Sequence, residues 1–487
     1  MAEVEKPAVG ETRSGALSIE SNGINVISDA ERKGRPRQLF WPWFGANVSV
    51  FGLSYGAFAL GFGISFWQAL VAGIVGIVVS FLLCGFVALA GKRGSAPTMV
   101  LSRAAFGVRG NKVPALISWV LTVGWETVLT ILATLATATV FERLGWGGGT
   151  ATKVVALLVV AALVVGAGVL GFEMIMKLQT VITVITGVLT VVYIVLAAGQ
   201  ADWATVSALP PGTTQQVIGA LVMMLTGFGL GWVNAAADYS RYLPRSSSGA
   251  GVVGWTTFGS AIAPLLLFTV GLLLAGSSPE LSSAISADPI GALAAALPVW
   301  FLVPFVLVAV LGLVGGAVLD IYSSGLALLS LGLRIPRWTA ALVDGVLMVI
   351  GTVYVVFVAQ DFLPQFQGFL ITLGVPVAAW CGVMLADVAL RRRDYDEDDL
   401  YDRNGRYGDV QALPIVVILV ATVLGWGLVT NGVEWLSWQG YLLDSVGLGG
   451  REGPWAYANV GVLLALVLGF VVTLLTAPAI RRQEEAA

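Results

Sequence analysis

Residues 225–234 read Leu-Thr-Gly-Phe-Gly-Leu-Gly-Trp-Val-Asn, with three glycines at alternate positions of an apolar run. Residues 43–56, Trp-Phe-Gly-Ala-Asn-Val-Ser-Val-Phe-Gly-Leu-Ser-Tyr-Gly, mix the polar side chains Asn47, Ser49 and Ser54 with further glycines. Both compositions loosen an α-helix, and irregular backbone at membrane depth is tolerated only where protein or a water-filled cavity covers it. We therefore predict two broken membrane spans, in preference to the alternative that the glycines only permit close helix packing.

The composition of the whole chain is that of a membrane protein. Of its 487 residues, 57% are apolar and 11% are charged, and the mean hydropathy is +0.88. An ordinary soluble protein is about 25% charged, so a soluble enzyme is excluded. Recurrent apolar runs of about twenty residues are each long enough to cross the hydrocarbon of a bilayer. We predict an all-α polytopic membrane protein with twelve transmembrane helices, beginning near Trp41, Phe66, Val113, Lys153, Phe172, Gln216, Val252, Val299, Ala340, Leu363, Leu413 and Ala456.

The residue types that build most metal and catalytic sites are scarce. The chain has no His, and its two cysteines, Cys84 and Cys381, both lie inside apolar runs. A disulfide framework, a Cys/His metal site and a His-based catalytic triad are therefore excluded. We expect no metal site, no cofactor and no enzymatic activity.

The distribution of basic residues predicts the topology. All but Arg143, Lys153 and Arg451 of the 26 basic residues fall in the two terminal tails or at the alternate span connections that an even number of spans would place on one side. Basic loops stay in the cytoplasm. Both termini are therefore predicted to be cytoplasmic, and the polar first 38 residues are interpreted as a cytoplasmic tail rather than a signal peptide.

Glu126 is the clearest candidate for chemistry within the membrane. Thr122, Glu126, Thr130 and Thr134 repeat every four residues and form one polar stripe on the third span. An ionisable group inside a bilayer is costly and is a functional candidate by default. Burial favours the neutral carboxyl, so we predict that Glu126 binds and releases a proton; a purely structural hydrogen bond between helices is the alternative.

Further candidate functional residues are acids and tryptophans inside the predicted spans. Asp320 follows an almost wholly apolar run in the eighth span and is a second candidate, whereas Asp344 has the position of a span-boundary residue. Trp125 and Trp232 each lie beside a glycine near the middle of a span, away from the interfacial depth where tryptophans collect. A flat polar heterocycle held between these two indoles would find Asn234 or Glu126 within reach of its edges.

Several segments resemble the nucleobase and cation symporter-1 family, and in particular its purine and cytosine permeases. These segments are 85–110, with Gly-Lys-Arg-Gly-Ser-Ala-Pro-Thr-Met-Val-Leu-Ser-Arg-Ala-Ala-Phe-Gly at 91–107; Gly124-Trp125; 237–244, Ala-Asp-Tyr-Ser-Arg-Tyr-Leu-Pro; 380–387; and 391–395. Together, in this order and spacing, they are specific for the family.

The resemblance implies two five-span inverted repeats with broken first and sixth helices, plus two extra helices. It implies a secondary transporter that imports a nucleobase by alternating access, with the ring stacked between Trp125 and Trp232. Where the family often has a polar amide this chain has Leu129, and where it often has Asn this chain has Asp320, for which we expect a substrate-facing role. We include Ser49 and Ser54 of the first broken span among the candidate substrate-binding residues.

The coupling ion is predicted from a departure from the family. Sodium-coupled relatives use two hydroxyls of the eighth span, but residues 301–319 contain no Ser, Thr, Asn or Gln. A hard cation requires such oxygens, so we predict proton coupling through Glu126 first and Asp320 second. Sodium coupling remains the alternative, as do a related ring compound such as allantoin, hydantoin or uracil, or an amino acid, as cargo.

These predictions define a domain scheme and a set of partners. The scheme is a cytoplasmic tail at 1–38, a first repeat at 39–200, a second repeat at 201–393, a cytoplasmic loop at 394–411, two additional spans at 412–480 and a cytoplasmic tail at 481–487. We expect a monomer in the plasma membrane whose partners are the lipid bilayer and a small nucleobase, cytosine or a purine, and not nucleic acid. A channel is disfavoured because no ring of repeated pore-lining groups is evident.

Overall fold

A computed structural model describes residues 23–170, 172–295, 297–359 and 362–485, and all regular structure in these ranges is helical. Nine of the described helices are long enough and apolar enough to cross a membrane, and a bent pair of helices near the C-terminus makes a tenth. The nine are Phe66–Gly94, Lys112–Arg143, Thr150–Val169, Ile175–Gln200, Thr214–Ser240, Gly249–Ser277, Val299–Ser330, Arg337–Phe357 and Phe362–Leu390. The all-helical membrane fold is thereby confirmed, while the count of twelve spans stays a prediction.

We number the spans in chain order. The first consists of two short helices, Phe40–Asn47 and Phe51–Leu60, and the nine long helices follow as spans two to ten. The eleventh is the short apolar helix Ala412–Trp426. The twelfth is the pair Gly461–Leu474 and Ala477–Glu485, bent by 52°.

The first ten spans pack as two groups. Spans one and two each pack on spans six and seven and form with them what we call the core bundle, and spans three, four, eight and nine contact one another and form the scaffold. Span one also packs on span five, and span six packs on span ten in the same way. The second contact repeats the first five spans later, which is the relation expected of a five-plus-five inverted repeat.

Both predicted breaks are present. The first helix of span one ends at Asn47, and the amide of Ser49 donates to the carbonyl oxygen of Asn47 at 3.0 Å instead of continuing the helical pattern to Gly45. In span six, Phe228 leaves the helix at φ −118°, ψ −107°. Because a bilayer offers no water to the freed backbone groups, protein must supply their partners.

Span two supplies those partners for the sixth span. The Ser80 hydroxyl accepts a hydrogen bond from the Gly229 amide at 3.0 Å, and the Cys84 thiol donates to the Gly229 carbonyl at 3.1 Å. A Cβ on Gly229 would overlap the backbone of Ser80, so this position has room only for glycine. The buried Cys84 therefore has a structural role at the break.

The two described terminal segments lie at the same face of the molecule. The Ile27 amide donates to the Ser95 carbonyl at 2.8 Å, and the Arg391 guanidinium donates to the Gln483 side chain at 3.0 Å. We call this end, which carries the connections between spans two and three and between spans ten and eleven, the basic face. At this face the Arg109 guanidinium bonds Asp409 and holds the pKa of that carboxyl below its ordinary value, so the ion pair persists at neutral pH.

Spans one and seven approach backbone to backbone, which generates a stability prediction. A Cβ on Gly271 would overlap the Leu53 carbonyl, whereas a Cβ on Gly254, in the same helix, would meet nothing within 4 Å. We expect Gly271→Ala to destabilise the fold by about 1–3 kcal/mol through overpacking, and the matched control Gly254→Ala to have no destabilising effect. Thermal unfolding in detergent measures both; equal melting temperatures for the two variants would contradict the backbone contact.

Candidate functional site

Trp125 of span three lies against the break of span six. Its indole nitrogen is 2.8 Å from the point where a Cβ on Gly231 would stand, so the glycine admits the ring edge. The ring also makes edge contacts with Phe366 and Phe369 of span ten, at centroid distances of 5.7 and 5.8 Å. The Trp125 side chain is 9% exposed, and its N–H has no hydrogen-bond partner.

Trp232 belongs to the same break. It is half-buried and packs edge-to-face on Trp43 of the first span, with ring centroids 5.8 Å apart. Trp43 in turn contacts Tyr239 at 5.4 Å. Since Trp125 touches Gly231 and Trp232 is the next residue, the structure brings the two predicted tryptophans to one place, at the junction of spans one, three and six.

Two buried acceptor groups lie near this junction without donors. Asn234 donates from Nδ2 to the Ser118 hydroxyl at 2.8 Å, while its Oδ1 has no partner. Asp320 of span eight is 1% exposed, and neither of its carboxylate oxygens is hydrogen-bonded. Asp320 interacts electrostatically with Tyr239, which packs on Trp43. Unpaired buried acceptors are costly, so these oxygens suit a ligand that brings N–H donors.

Glu126 faces a different side of span three from Trp125. The contacts of Trp125 are on spans six and ten, whereas the Glu126 carboxyl interacts with Asp344, Asp320 and the Ser324 hydroxyl, on spans eight and nine. Glu126 is fully buried and neither of its oxygens has a well-formed hydrogen bond. The structure therefore places Glu126 within the scaffold, next to Asp320, and does not bring it against the paired tryptophans.

Asp344 is a residue that sequence reasoning missed. It was expected at a span boundary, but its side chain is fully buried, accepting from the Trp119 indole N–H at 2.7 Å and from the Ser324 hydroxyl at 2.8 Å. Asp344 follows Arg337, the first residue of its helix, by seven positions, or about 10 Å of helix. This distance from the basic residue at the start of the helix was the sequence signal that Asp344 lies inside the span and not at its boundary.

The two serines of span one lie apart from this arrangement. The Ser54 hydroxyl donates to the Pro289 carbonyl at 2.6 Å and so fastens the connection between spans seven and eight. Ser49 is half-buried at the break, where its backbone lies 3.2 Å from the position of a Cβ on Gly312. The Ser49 hydroxyl accepts from the Phe51 amide at 3.4 Å, so the recorded hydrogen bonds of both serines are to groups other than the tryptophans.

Span eight presents glycines, not hydroxyls, to the break of span one. A Cβ on Gly312 would lie 3.1 Å from the Val48 carbonyl, and the Gln179 side chain of span five donates from Nε2 to the Gly315 carbonyl at 2.5 Å. Oε1 of Gln179 and the hydroxyl of Thr183 lack partners, and each lies 2.6 Å from the Cβ position of Gly45. Among the described residues, no group of three or more His, Cys, Asp and Glu side chains is placed to hold a metal ion.

A cavity of about 610 Å³ opens at the face opposite the basic face. Amides and aromatic rings line it, including Phe58, Gln216, Gln367 and Asn431. Below it, the rings of Phe51, Tyr55, Phe58, Phe362 and Phe366 contact one another. Phe366 also touches Trp125, so this aromatic layer separates the cavity from the tryptophan site.

The way to the basic face is closed by tyrosines and arginine. Tyr239 stacks on Tyr322 at 6.3 Å, and the Arg241 guanidinium donates to the Tyr322 hydroxyl at 2.8 Å. A second guanidinium nitrogen of Arg241 donates to the Gly23 carbonyl at 3.0 Å, which adds the N-terminal segment to the closure. The tryptophan site is thus closed at both ends, with the cavity on one side.

Asp238 interacts electrostatically with Arg241, three residues later, and is also hydrogen-bonded to Thr98. Its carboxylate accepts from the backbone amide and the hydroxyl of Thr98, both at 2.8 Å. The short helix Thr98–Leu101, between spans two and three, is thereby fixed to the end of span six. Asp238 serves the closure at the basic face.

Comparison with known proteins agrees with this architecture. A family model described as "Permease for cytosine/purines, uracil, thiamine, allantoin" matches residues 26–443. The putative purine-cytosine permease YxlA of Bacillus subtilis is 23% identical over 419 residues, covering 84% of this chain and 88% of that protein. The purine-cytosine permease FCY2 of Saccharomyces cerevisiae is 24% identical, over 48% of this chain and 44% of that protein.

Solved structures share the fold. Mhp1, a nucleobase-cation-symport-1 family transporter, in a closed conformation with bromovinylhydantoin bound, superposes with a TM-score of 0.70 at 18% identity, covering 96% of this chain and 97% of that one. Its inward-facing conformation gives a TM-score of 0.65. The inverted-repeat transporter fold is confirmed, and the chain is a membrane transporter, not an enzyme. It belongs to the family of permeases for cytosine and purines, uracil, thiamine and allantoin.

Proposed function

We propose that this transporter imports a nucleobase, with cytosine or a purine as cargo, by symport with a proton through alternating access. The observation that carries the proposal is that Trp125 lies against the break of span six beside Trp232, with unpaired buried acceptors on spans six and eight. Trp125 and Trp232 offer flat faces for stacking, and Asp320 and Asn234 offer oxygens that lack donors. A planar ring with N–H groups on its edge satisfies both needs at once.

The cargo follows from the type of acceptor. When Asp320 holds no proton, its carboxylate only accepts hydrogen bonds and favours rings that present N–H donors, as amino-bearing bases do. Leu129, whose side chain packs toward Gly316, offers no hydrogen bond where the family often has an amide. These features favour cytosine or an aminopurine over rings whose edges present mainly carbonyl oxygens.

Proton coupling is supported by the absence of hydroxyl side chains where span eight faces the break of span one. Glycines stand where hydroxyl ligands would be required, and an amide N–H of Gln179 already donates to the Gly315 carbonyl. A hard cation needs several free oxygens. Glu126, buried and without a basic partner among its interacting neighbours, is the first candidate proton carrier, and Asp320 is the second.

One observation favours sodium coupling as the second candidate. Oε1 of Gln179 and the hydroxyl of Thr183 are buried, unpaired and directed at the same point beside Gly45. Oxygens that converge in this way are also the ligands that a hard cation takes. One experiment, the sodium dependence of uptake, therefore distinguishes proton coupling from sodium coupling.

The orientation that we propose follows from charge. Nearly all basic residues of the tails and connections belong to the basic face, which is expected to remain in the cytoplasm. With the protein in the plasma membrane, the 610 Å³ cavity would open to the exterior. The described conformation would then correspond to a closed site beneath an external vestibule.

The first prediction concerns cargo and ion. Cells without their own permeases should take up labelled cytosine in sodium-free buffer when the exterior is acidic, and collapse of the proton gradient should stop accumulation. Adenine, guanine, uracil and allantoin serve as unlabelled competitors. Uptake that requires sodium and is lost in Thr183→Ala would establish the alternative, and no uptake of any of these rings under either condition would overturn the proposed cargo.

The second prediction concerns stacking. Trp125→Ala should lower cytosine affinity by about fivefold to 150-fold, because aromatic stacking on a base contributes about 1–3 kcal/mol, while Trp125→Phe should retain part of the affinity. Trp300, 65% exposed on the lipid-facing surface, provides the control Trp300→Ala. Equal affinities in Trp125→Ala and Trp300→Ala, measured by binding to purified protein, would remove Trp125 from the substrate site.

The third prediction concerns the proton carrier. Glu126→Gln keeps the size and hydrogen-bonding capacity of the side chain but cannot release a proton. We expect loss of gradient-driven accumulation with exchange of cytosine across the membrane retained, measured in proteoliposomes of the purified protein. Unchanged accumulation would remove Glu126 from the mechanism.

A further inference from the structure

The three buried carboxyl groups of the scaffold form a series that approaches the basic face. Spans three and nine both start at that face, with Lys112 and Arg337 respectively, and span eight ends there. Glu126 lies fourteen residues from the start of its helix, or about 21 Å, whereas Asp344 lies seven residues, or about 10 Å, from the start of its own. The series therefore runs from mid-membrane to the basic face.

Two hydrogen bonds fix the register between spans three and nine. The Trp119 indole donates to Asp344, and the Thr130 hydroxyl donates to the Met348 sulfur at 3.1 Å. Glu126 lies between Trp119 and Thr130, so its helix face is held against the Asp344 face of span nine. A helical side chain leans toward the N-terminus of its helix, which inclines the Glu126 carboxyl toward Asp344.

The Ser324 hydroxyl connects the two acids. It donates to Asp344 at 2.8 Å and also interacts with Glu126. Asp344 receives two donors, from Trp119 and Ser324, which suits a charged carboxylate, whereas Glu126 receives no well-formed hydrogen bond, which suits a neutral one. A neutral Glu126 would donate to the Ser324 oxygen while the Ser324 hydroxyl donates to Asp344, which is the arrangement that a proton relay requires.

We propose that the scaffold contains its own proton path, from Glu126 through Ser324 to Asp344, and that the proton leaves by this path toward the basic face, separately from the substrate. This inference rests on the proposed proton coupling. In the step, the Glu126 carboxyl gives its proton to the Ser324 oxygen while the Ser324 proton passes to Asp344. Glu126 becomes a carboxylate, Asp344 a carboxylic acid and the serine hydroxyl is restored, so one proton is moved and no other group changes.

The path is separate from the route that the substrate would take. The substrate site is bounded by Trp125 and the break of span six in the core bundle, and its closure toward the basic face is made by Tyr239, Tyr322 and Arg241. Asp344 is on span nine, on the scaffold side. Asp320, which interacts with both Glu126 and Tyr239, is the group that lies between the two routes.

Among the residues that the structure describes, few charged and titratable groups surround the path. From span three they are Glu126 and, at the basic face, Lys112, whose side chain lies near Gly332. From span eight they are Asp320 and Tyr322, and from span nine Asp344 and Arg337, whose guanidinium lies 5.4 Å from the Tyr322 ring centre. Span four contributes apolar contact, with Val165 packed against Gly345. Arg337 and Lys112 mark the end of the path.

The test measures cytosine accumulation by the purified full-length protein in sodium-free proteoliposomes under a pH gradient. A gradient of one pH unit supports an accumulation of about tenfold at one proton per substrate, because one unit corresponds to about 1.4 kcal/mol. We expect wild type and Ser324→Thr to accumulate cytosine, and Ser324→Ala and Asp344→Asn to fall to no accumulation. Counterflow exchange at equal pH, which needs no net proton movement, should persist in all four.

Two further variants test whether the donors around Asp344 position it for proton transfer or only stabilise the fold. Trp119→Phe removes only the indole donor of Asp344 and should shift the pH profile of accumulation without abolishing it. Ser330→Ala is the matched control, because Ser330 is a buried serine of the same helix whose hydroxyl bonds back to Leu326 at 2.9 Å. Its accumulation should equal that of wild type.

The outcomes distinguish this path from the proposed function. If Glu126→Gln loses accumulation while Ser324→Ala and Asp344→Asn keep it, the path is wrong and the proton carrier stands. If Asp344→Asn loses accumulation and counterflow together while Ser324→Ala keeps both, Asp344 is a structural group and the path is overturned. If accumulation by wild type does not depend on the pH gradient, or if Glu126→Gln accumulates cytosine as wild type does, the proposed coupling through Glu126 is wrong. The proton path is then wrong as well.

Discussion

The unwound backbone in the middle of the first and sixth spans is the constraint on which the rest of this structure depends. Each freed N–H and C=O lies at membrane depth and must find a partner in protein. Ser80 and Cys84 of span two form hydrogen bonds with the freed amide and carbonyl of Gly229. Glycines of spans six and eight leave room for neighbouring groups to approach the breaks. The break of span six brings Gly231 and the adjoining Trp232 against the Trp125 ring, and the proposed substrate site depends on this approach.

The third span connects the proposed substrate site with the buried acids because its consecutive residues Trp125 and Glu126 point about 100° apart around the helix. Trp125 faces spans six and ten, where the proposed substrate ring would stack, and Glu126 faces the scaffold, where the acids lie. A ring held at the first face and a proton held at the second would be only one residue apart along the chain. Asp320, which interacts with Glu126 and with Tyr239, is placed to transmit the charge state of one side to the other.

Much of the fold was predictable because its signals are local. Alternate glycines at 227–231 and the polar residues at 47–54 predicted the breaks, and hydropathy predicted the helices. The side-chain directions at the site were not predictable. Whether Glu126 faces the tryptophans or span nine depends on how three helices pack, and Ser54 was drawn away from the site by the Pro289 carbonyl. The buried polar series Gln179, Thr183, Thr186 and Thr190 of span five was a signal that the sequence offered and that was not used.

The central claim is that a proton, and no sodium ion, moves with a neutral base. The most direct measurement is the current evoked by cytosine in protein-containing membranes on a solid support, recorded with and without sodium at several pH values. The account predicts a current of positive charge moving with the substrate that grows as the solution on the substrate side is acidified and is unchanged by sodium. A current that requires sodium and does not depend on pH would contradict it.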